Sequence, residues 1–568
     1  MNRKHITILL SLFLCGSMFA QVNLKNGNFY KSFTDIKIYP KFGAIEDITR
    51  TYNSKSTYVG IFGYGWGSMI QTFLHSYPDG SIVVFQHGSG ESRIFNSALT
   101  TEDMIEYMVD ELIETSLNQG DINNNPNAIL ERREKLFKDL DYRIKQWDHY
   151  VKKGLLEYET ALPEGMEWES FERGNEIIIK TKNGFDKKES NEIESFNSDG
   201  KLVKIDKGFG NWASLVYNDG KLSKIINADS TEFVFKFNEA GFVKRIEIDE
   251  SISKYSYNYA MLKYEGKELK YYKNVAGDMF KFNFDENHNM TKIIYNPVRI
   301  KGVPEDAMTM EYEPRTGWIS KITDRDGNVT EYSYDVFYNT DGSKSDKHYG
   351  TKVTVTDEYG NKKTNSYEYI IGVKETGERY SQKIITDIQG IKTETTYDEL
   401  CEKPIEITKG YRKTTFKYNN RCLLTEKLSD SDSVYMKYHP TSEKITYVKN
   451  DDGTYEFTYD ENLNLIYVEK NKKDWVQLVY DDKGKIISMT DGSATSEKGR
   501  TLTFEYNKLG KPNKIVLKDV GTINVTYDNS GEIERVESES GHKMALQVTQ
   551  AFQSLLQLVK PSGVNLGM

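Results

Sequence analysis

Histidines, cysteines and clustered carboxylates can hold metals, exchange electrons or move protons, and this sequence spaces them sparingly. His75 and His87 flank the turn Tyr77-Pro78-Asp79-Gly80 and invite a metal site. A hairpin about that turn sets His87 opposite Ile70, about 17 Å along the strand from His75. The two histidines then cannot share an ion. His149, His288, His348, His439 and His542 are scattered without ligand spacing. Asp324-Arg325-Asp326-Gly327-Asn328 resembles the start of a calcium loop, but it lacks the third spaced oxygen ligand before the glycine. It falls where a chain reversal is needed, so a turn is the favoured reading. There is no Gly-x-Ser-x-Gly elbow, Walker loop or Cys-x-x-Cys. No catalytic residue, metal site or cofactor is therefore expected, although an unrecognised enzyme is left open.

The elements that carry these residues are mostly strands. The chain has 568 residues, too many for one compact core. Aromatic residues make up 12%, with 39 Tyr and only 11 Pro, which argues against disorder. A mean hydropathy of −0.64 suits strands with one wet face. The net charge of −10 disfavours nucleic acid as a partner.

Residues 1–20 read as a secretory signal peptide. Arg3 and Lys4 precede the apolar run from Ile6 to Leu14, and small residues lead to a cleavage site after Ala20. Losing Arg3 and Lys4 takes the net charge from −10 to −12. Lipidation at Cys15 is the rival reading, but Leu14 stands where such signals need a small residue. No later run approaches the about 20 apolar residues of a membrane span. An exported chain without a transmembrane segment, secreted or held at the cell surface or in the periplasm, is expected.

An aromatic followed by a turn former recurs at Phe196, Tyr217 and Phe237, and again at Tyr397, Tyr418, Tyr438, Tyr459, Tyr480, Tyr506 and Tyr527. Seven of the eight steps within these two series are 20 or 21 residues. Apolar residues alternate before each aromatic, as in Tyr455, Phe457, Tyr459, which marks a half-buried strand. After a polar turn, apolar residues fall three apart, as in Leu465/Val468 and Ile486/Met489. A regular strand cannot place residues i and i+3 on one face, so a bulge or strand end is expected there. Each unit is a hairpin that cannot bury its own face, and stacked hairpins would share one sheet.

These residues resemble the rearrangement-hotspot (RHS) or YD-repeat family. Tyr397-Asp398, Tyr459-Asp460, Tyr480-Asp481 and Tyr527-Asp528 are literal Tyr-Asp pairs, and the resemblance covers about residues 190–540. Residues 335–380 are too irregular to phase. Asn26-Gly27-Asn28-Phe29, Arg50-Thr51-Tyr52-Asn53-Ser54 and Phe62-Gly63-Tyr64-Gly65-Trp66 look like the domain that often opens such proteins. The resemblance implies a mainly β fold of tandem hairpins in a long curved or spiralling antiparallel sheet. In full-length bacterial members that sheet can enclose a C-terminal toxin. This chain has no Asp-Pro dipeptide, and so lacks the family's self-cleavage motif. Only about 30 residues follow the last unit, too few for an ordinary enzyme domain.

The expected domains are an N-terminal β domain over 21–99, an inserted helical hairpin over 100–154, the repeat sheet over 155–540, and a C-terminal amphipathic helix and tail over 541–568. In the hairpin, Thr100 and Asp103 read as a capping box. A longer second helix is capped by Asn125, with Leu130, Phe137, Leu140, Ile144, Trp147 and Val151 on its apolar face. The C-terminal helix places Val548, Phe552, Leu555, Leu556 and Val559 on one side. Both helical segments are candidates to cover the open edges of the sheet.

Cys401 and Cys422 sit at equivalent sites of consecutive repeats. With two strands per unit such positions lie about 9.5 Å apart, against the about 7 Å limit for a disulfide. Free thiols are expected, and a disulfide requires that the two turns lean together. Two functional readings stand. One is an exported, non-enzymatic scaffold or interaction protein binding carbohydrate or a protein partner. The other is a short shell component of an antibacterial toxin system whose cargo is encoded separately.

Overall fold

The computed structural model describes residues 21–38, 40, 43–86, 90–95, 97, 99–159, 162–170, 176–189, 192–208, 210–249, 257–297, 305–340, 342–375, 379–482, 484–493, 499–507, 511–527 and 533–538, with Gln547, Gln550, Ala551, Leu555 and Val559 beyond them. Residues 1–20, with Cys15 and Ala20, lie outside this set, as does His87.

One antiparallel sheet of 33 strands dominates, running in sequence order from Glu167–Ser170 to Ile533–Ser538. Each strand pairs with its neighbours in sequence, and the first and last do not pair with each other, so the sheet is not closed. The register slips at each repeat aromatic, as expected from the apolar spacing. Thr458 pairs with Tyr467, whereas the next residue, Tyr459, pairs with Leu465. Ile466 is the extra residue, and the bulge turns both Leu465 and Val468 inward. The same slip falls between Val216 and Tyr217, Lys417 and Tyr418, and Glu505 and Tyr506.

The tyrosine is preferred at this place because its hydroxyl crosses to the previous hairpin. Tyr459 Oη donates to the carbonyl of Ile445 at 2.9 Å, Tyr480 to Leu465 at 2.9 Å, and Tyr527 to Pro512 at 2.8 Å. In each case the acceptor is the residue paired with the preceding unit's aromatic, just before the bulged residue of its strand. Tyr217, Tyr264, Tyr312, Tyr334, Tyr418, Tyr438 and Tyr506 repeat the bond. Phe237 and Phe284 hold the place without a hydroxyl.

The following Asp or Asn closes the turn. The Asp460 carboxylate accepts from the backbone amides of Asn462 and Asn464 and from the Asn464 side chain. Asp324 does the same with Asp326 and Asn328. The calcium-like stretch is thus a turn whose carboxylate is spent on its own backbone.

The apolar rows form two separate cores. In the first, Phe196 to Val353 of the sheet pack with Phe29, Phe33, Tyr52 and Trp66 of the N-terminal region. There Asn28–Lys37, Asp47–Asn53 and Trp66–Ser68 belong to a four-stranded sheet. Asp35 and Arg50 form a fully buried ion pair at 2.9 Å. The Arg50 guanidinium lies 4.5 Å from the Trp66 ring centre and 4.2 Å from that of Tyr272, joining the two sheets through cation–π contact. Burial pushes the Asp35 carboxyl up to about 6, against the pull of Arg50.

The second core joins Val434 to Ile523 with Ala551, Leu555 and Val559, spaced four apart on the C-terminal helix. Of its expected apolar side, Leu555 and Val559 are described and buried, while Val548, Phe552 and Leu556 lie outside the described residues. Between the cores, strands Ile391–Tyr397, Pro404–Lys409, Arg412–Tyr418 and Leu424–Ser429 contain no fully buried side chain. The irregular stretch before them resolves into long strands, Lys344–Thr356 and Lys362–Val373 among them.

Three helices stand where two were expected: α1 (Glu102–Gln119), α2 (Pro126–Lys138) and α3 (Leu140–Lys152). Asp139 divides the expected long helix, since it leaves helical geometry and its side chain caps the Tyr142 amide. Buried Arg143 then donates to the carbonyls of Leu136 and Phe137 at the end of α2. Leu130, expected on the apolar face, is exposed. The helices pack on Tyr77 and Val83 of the hairpin formed by Phe73–Ser76 and Ile82–Gln86.

Candidate binding cleft

The turn before strand Asn28–Lys37 is built from asparagines whose side-chain oxygens bond the local backbone. Asn23 accepts from the Lys25 amide, Asn26 from the Asn28 amide, and both Asn28 and Asn53 from the Lys55 amide. This fixes the side chains and, among the described residues, leaves their amide nitrogens as unused donors. These asparagines line a cavity of about 950 Å³ together with residues of the Phe73–Gln86 hairpin, the end of α3 and Tyr158.

Rings line the same cavity. His75 stacks on Tyr158 at 3.7 Å with 11° between planes, and Phe73 stacks on Phe85 at 4.8 Å. Asp148 of α3 accepts from the hydroxyls of Tyr77 at 2.8 Å and Tyr158 at 3.0 Å. Burial raises its pKa despite those bonds. Lys55 Nζ donates to the Thr316 carbonyl at 2.7 Å, and burial lowers its pKa. A second cavity of about 300 Å³ shares Tyr58, Phe73 and His75 with the first in its lining. Beside it the buried Gln71 Oε1 has no hydrogen-bond partner. Fixed amide donors and aromatic rings can recognise a ligand.

Of the candidate metal ligands singled out in the sequence and described in the structure, His75 lines this cleft. It pairs with Val83 across the hairpin, one position from the expected register. Among the described residues no three His, Cys, Asp or Glu side chains are grouped to hold a metal. The asparagines were visible only as part of the N-terminal resemblance, and the aromatic wall was not anticipated.

The expectation of free thiols is overturned. Cys401 and Cys422 are joined in a disulfide, with Cα atoms 5.3 Å apart. The two turns differ in length, which the ladder estimate ignored. The Asn419 turn closes from Asn419 to Leu423, with Cys422 in the left-handed region at φ 56°. The Asp398 turn closes from Asp398 to Lys403, one residue longer, and moves its left-handed position to Glu402. The longer turn lets Cys401 lean toward Cys422.

Residues 20–95 match a family described as a domain of unknown function (DUF6531). That stretch contains the asparagine turn and the aromatic hairpin but not α3 or Tyr158. No curated protein matches the chain in sequence. Among solved structures, the chain is similar to the Photorhabdus luminescens Tc holotoxin pore, with 10% identity, a TM-score of 0.37, and coverage of 65% of this chain and 24% of that one. It is similar to the TcdB2-TccC3-Cdc42 structure, with 9% identity, a TM-score of 0.37, and coverage of 90% and 29%. It is also similar to TcdB2-TccC3 without its hypervariable C-terminal region, with 9% identity, a TM-score of 0.36, and coverage of 94% and 31%. The chain spans about a quarter to a third of the length of these solved chains.

Proposed function

We propose that this chain is an exported, non-enzymatic scaffold of the YD-repeat class, and that it binds its ligand in the cleft between the asparagine turn and the aromatic hairpin. The Tyr-anchored bulges and the Tyr-Asp turns support the class, and the leader-like residues 1–20 support export. The cleft carries the binding role, because its donors are held in place by backbone turns and its rings are already stacked. The toxin-shell reading is less well supported. The apolar rows from Phe196 to Val353 pack against this chain's own N-terminal residues rather than a passenger.

Co-sedimentation of purified residues 21–568 with isolated cell envelopes tests this reading, comparing wild type with Ser92→Trp, which places a large ring in the cleft. Binding should be lost in the variant with its thermal melt unchanged. Equal binding by both proteins would remove the cleft from the function. N-terminal sequencing of the exported product should begin at Gln21.

A further inference from the structure

Strand Asn28–Lys37 keeps part of one edge open. At the end of its ladder with Asp47–Asn53, the Ser54 amide donates to the Phe29 carbonyl at 2.9 Å. Alternation then turns the backbone groups of Lys31 and Phe33 to that ladder, and those of Ser32 and Thr34 away from it. The Tyr272 hydroxyl donates to the Thr34 carbonyl from the far side, in agreement with this phase. Val22–Asn23 covers the far side only at Asn28 and Phe29. Among the described residues, the Ser32 amide and carbonyl have no backbone partner there.

A cavity of about 470 Å³ is lined by four consecutive residues of this strand, Lys31 to Thr34. Side chains alternate between the faces of a strand, so four in a row line one cavity only where it meets the strand's edge. Phe280, Tyr295 and Met308 supply apolar lining, and Tyr295 meets Phe280 edge-on at 5.5 Å. The half-buried Lys31 ammonium has no hydrogen-bond or ion-pair partner among the described residues. Burial and the neighbouring Arg325 guanidinium lower its pKa, and no carboxylate acts against them. The nearby acids are engaged elsewhere. Asp306 accepts two bonds from Arg325, and Asp324 accepts from the amides of its own turn. Asp326, exposed on that turn, acts on Arg325.

We infer that this edge takes up a short, extended peptide bearing a carboxylate. Its backbone would pair with Ser32, a mode in which main-chain bonds give affinity and alternate side chains give specificity. On the face shared by Lys31 and Phe33, an apolar side chain would meet the rings and a carboxylate would meet Lys31. A small aryl acid would leave the Ser32 backbone unanswered, and a basic peptide would bring like charge to Lys31 and Arg325. This site shares no lining residue with the asparagine cleft and stands independently of it.

Calorimetric titration of purified residues 21–568 tests the inference with the end-blocked peptide Thr-Phe-Thr-Glu-Thr, whose ring and carboxylate share one face when extended. Versions with Gln or Lys in place of Glu, a backbone N-methylated version and 3-phenylpropionate complete the set. The Glu peptide should bind about tenfold or more tighter than the Gln peptide, and the Lys peptide weaker still. The N-methylated peptide and 3-phenylpropionate should not bind measurably. Lys31→Gln should bring the Glu and Gln peptides to equal affinity with an unchanged thermal melt, while Lys31→Arg keeps the preference. Equal binding of the Glu, Gln and Lys peptides by wild type would overturn the carboxylate assignment. Full binding of the N-methylated peptide or of 3-phenylpropionate would overturn pairing at the strand edge. No binding of any peptide by the folded protein would overturn the whole inference.

Discussion

Tyr459 Oη lies 2.9 Å from the carbonyl oxygen of Ile445, the residue that precedes the bulged Thr446 of the preceding hairpin. That bond joins two successive units, in addition to their strand ladder and shared apolar core. Its recurrence explains why a half-buried tyrosine, rather than phenylalanine, recurs every 20 or 21 residues.

Removing the hydroxyl should cost stability without disturbing the bulge. Tyr459→Phe is expected to lose about 1 kcal/mol, the usual net worth of one hydrogen bond. Chemical denaturation followed by the fluorescence of nearby Trp475 measures it. An unchanged midpoint would show that the carbonyl is equally well satisfied by water.

The same tyrosines set the alkaline limit. Burial pushes Tyr217, Tyr418, Tyr438, Tyr459 and Tyr480 up to about 12, above the about 10 of a free phenol. Above pH about 10 the unfolded chain releases phenolic protons that the folded chain retains. Stability is therefore full below that pH and falls as pH rises toward about 12. Denaturation midpoints should decline across this window while the 295 nm phenolate absorbance of these residues lags. Full phenolate absorbance near pH about 10 in the folded protein would contradict it.

Cys401–Cys422 staples the sheet between its two cores, where strands Ile391–Tyr397 through Leu424–Ser429 bury no side chain fully. A 21-residue separation makes this cross-link worth about 3 kcal/mol through the unfolded chain. Cys401→Ser with Cys422→Ser should raise amide exchange in residues 391–429 more than in either core. Two alkylations of the wild-type chain without reductant would contradict the bond.

Ala551, Leu555 and Val559 cover the apolar row of the second core. Deleting residues 541–568 should expose Leu465, Leu478 and their neighbours and promote self-association, read by light scattering on a sizing column. A truncated protein that stays monomeric and equally soluble would remove the covering role.

Apolar residues three apart, as at Leu465 and Val468, sufficed to place the bulge, because only an inserted residue returns both to one face. The tyrosine bond escaped the sequence because its acceptor lies in a neighbouring hairpin. Asp139 was hidden by an apolar stripe that continues across it from Phe137 to Leu140, although its own cap on Tyr142 is a local cue. Cys401 was misjudged because one additional turn residue outweighed the ladder spacing. The cleft draws on residues 23–28, 53–59, 73–92 and 148–158, and nothing in a linear reading brings those segments together.

The most direct test of the cleft is hydrogen–deuterium exchange with and without saturating solubilised cell-envelope material. Protection should appear in residues 23–28, 53–59 and 148–158 and leave the hairpins of 391–527 unchanged. Protection spread along those hairpins, with none at the asparagine turn, would place binding on the repeat surface and contradict the account.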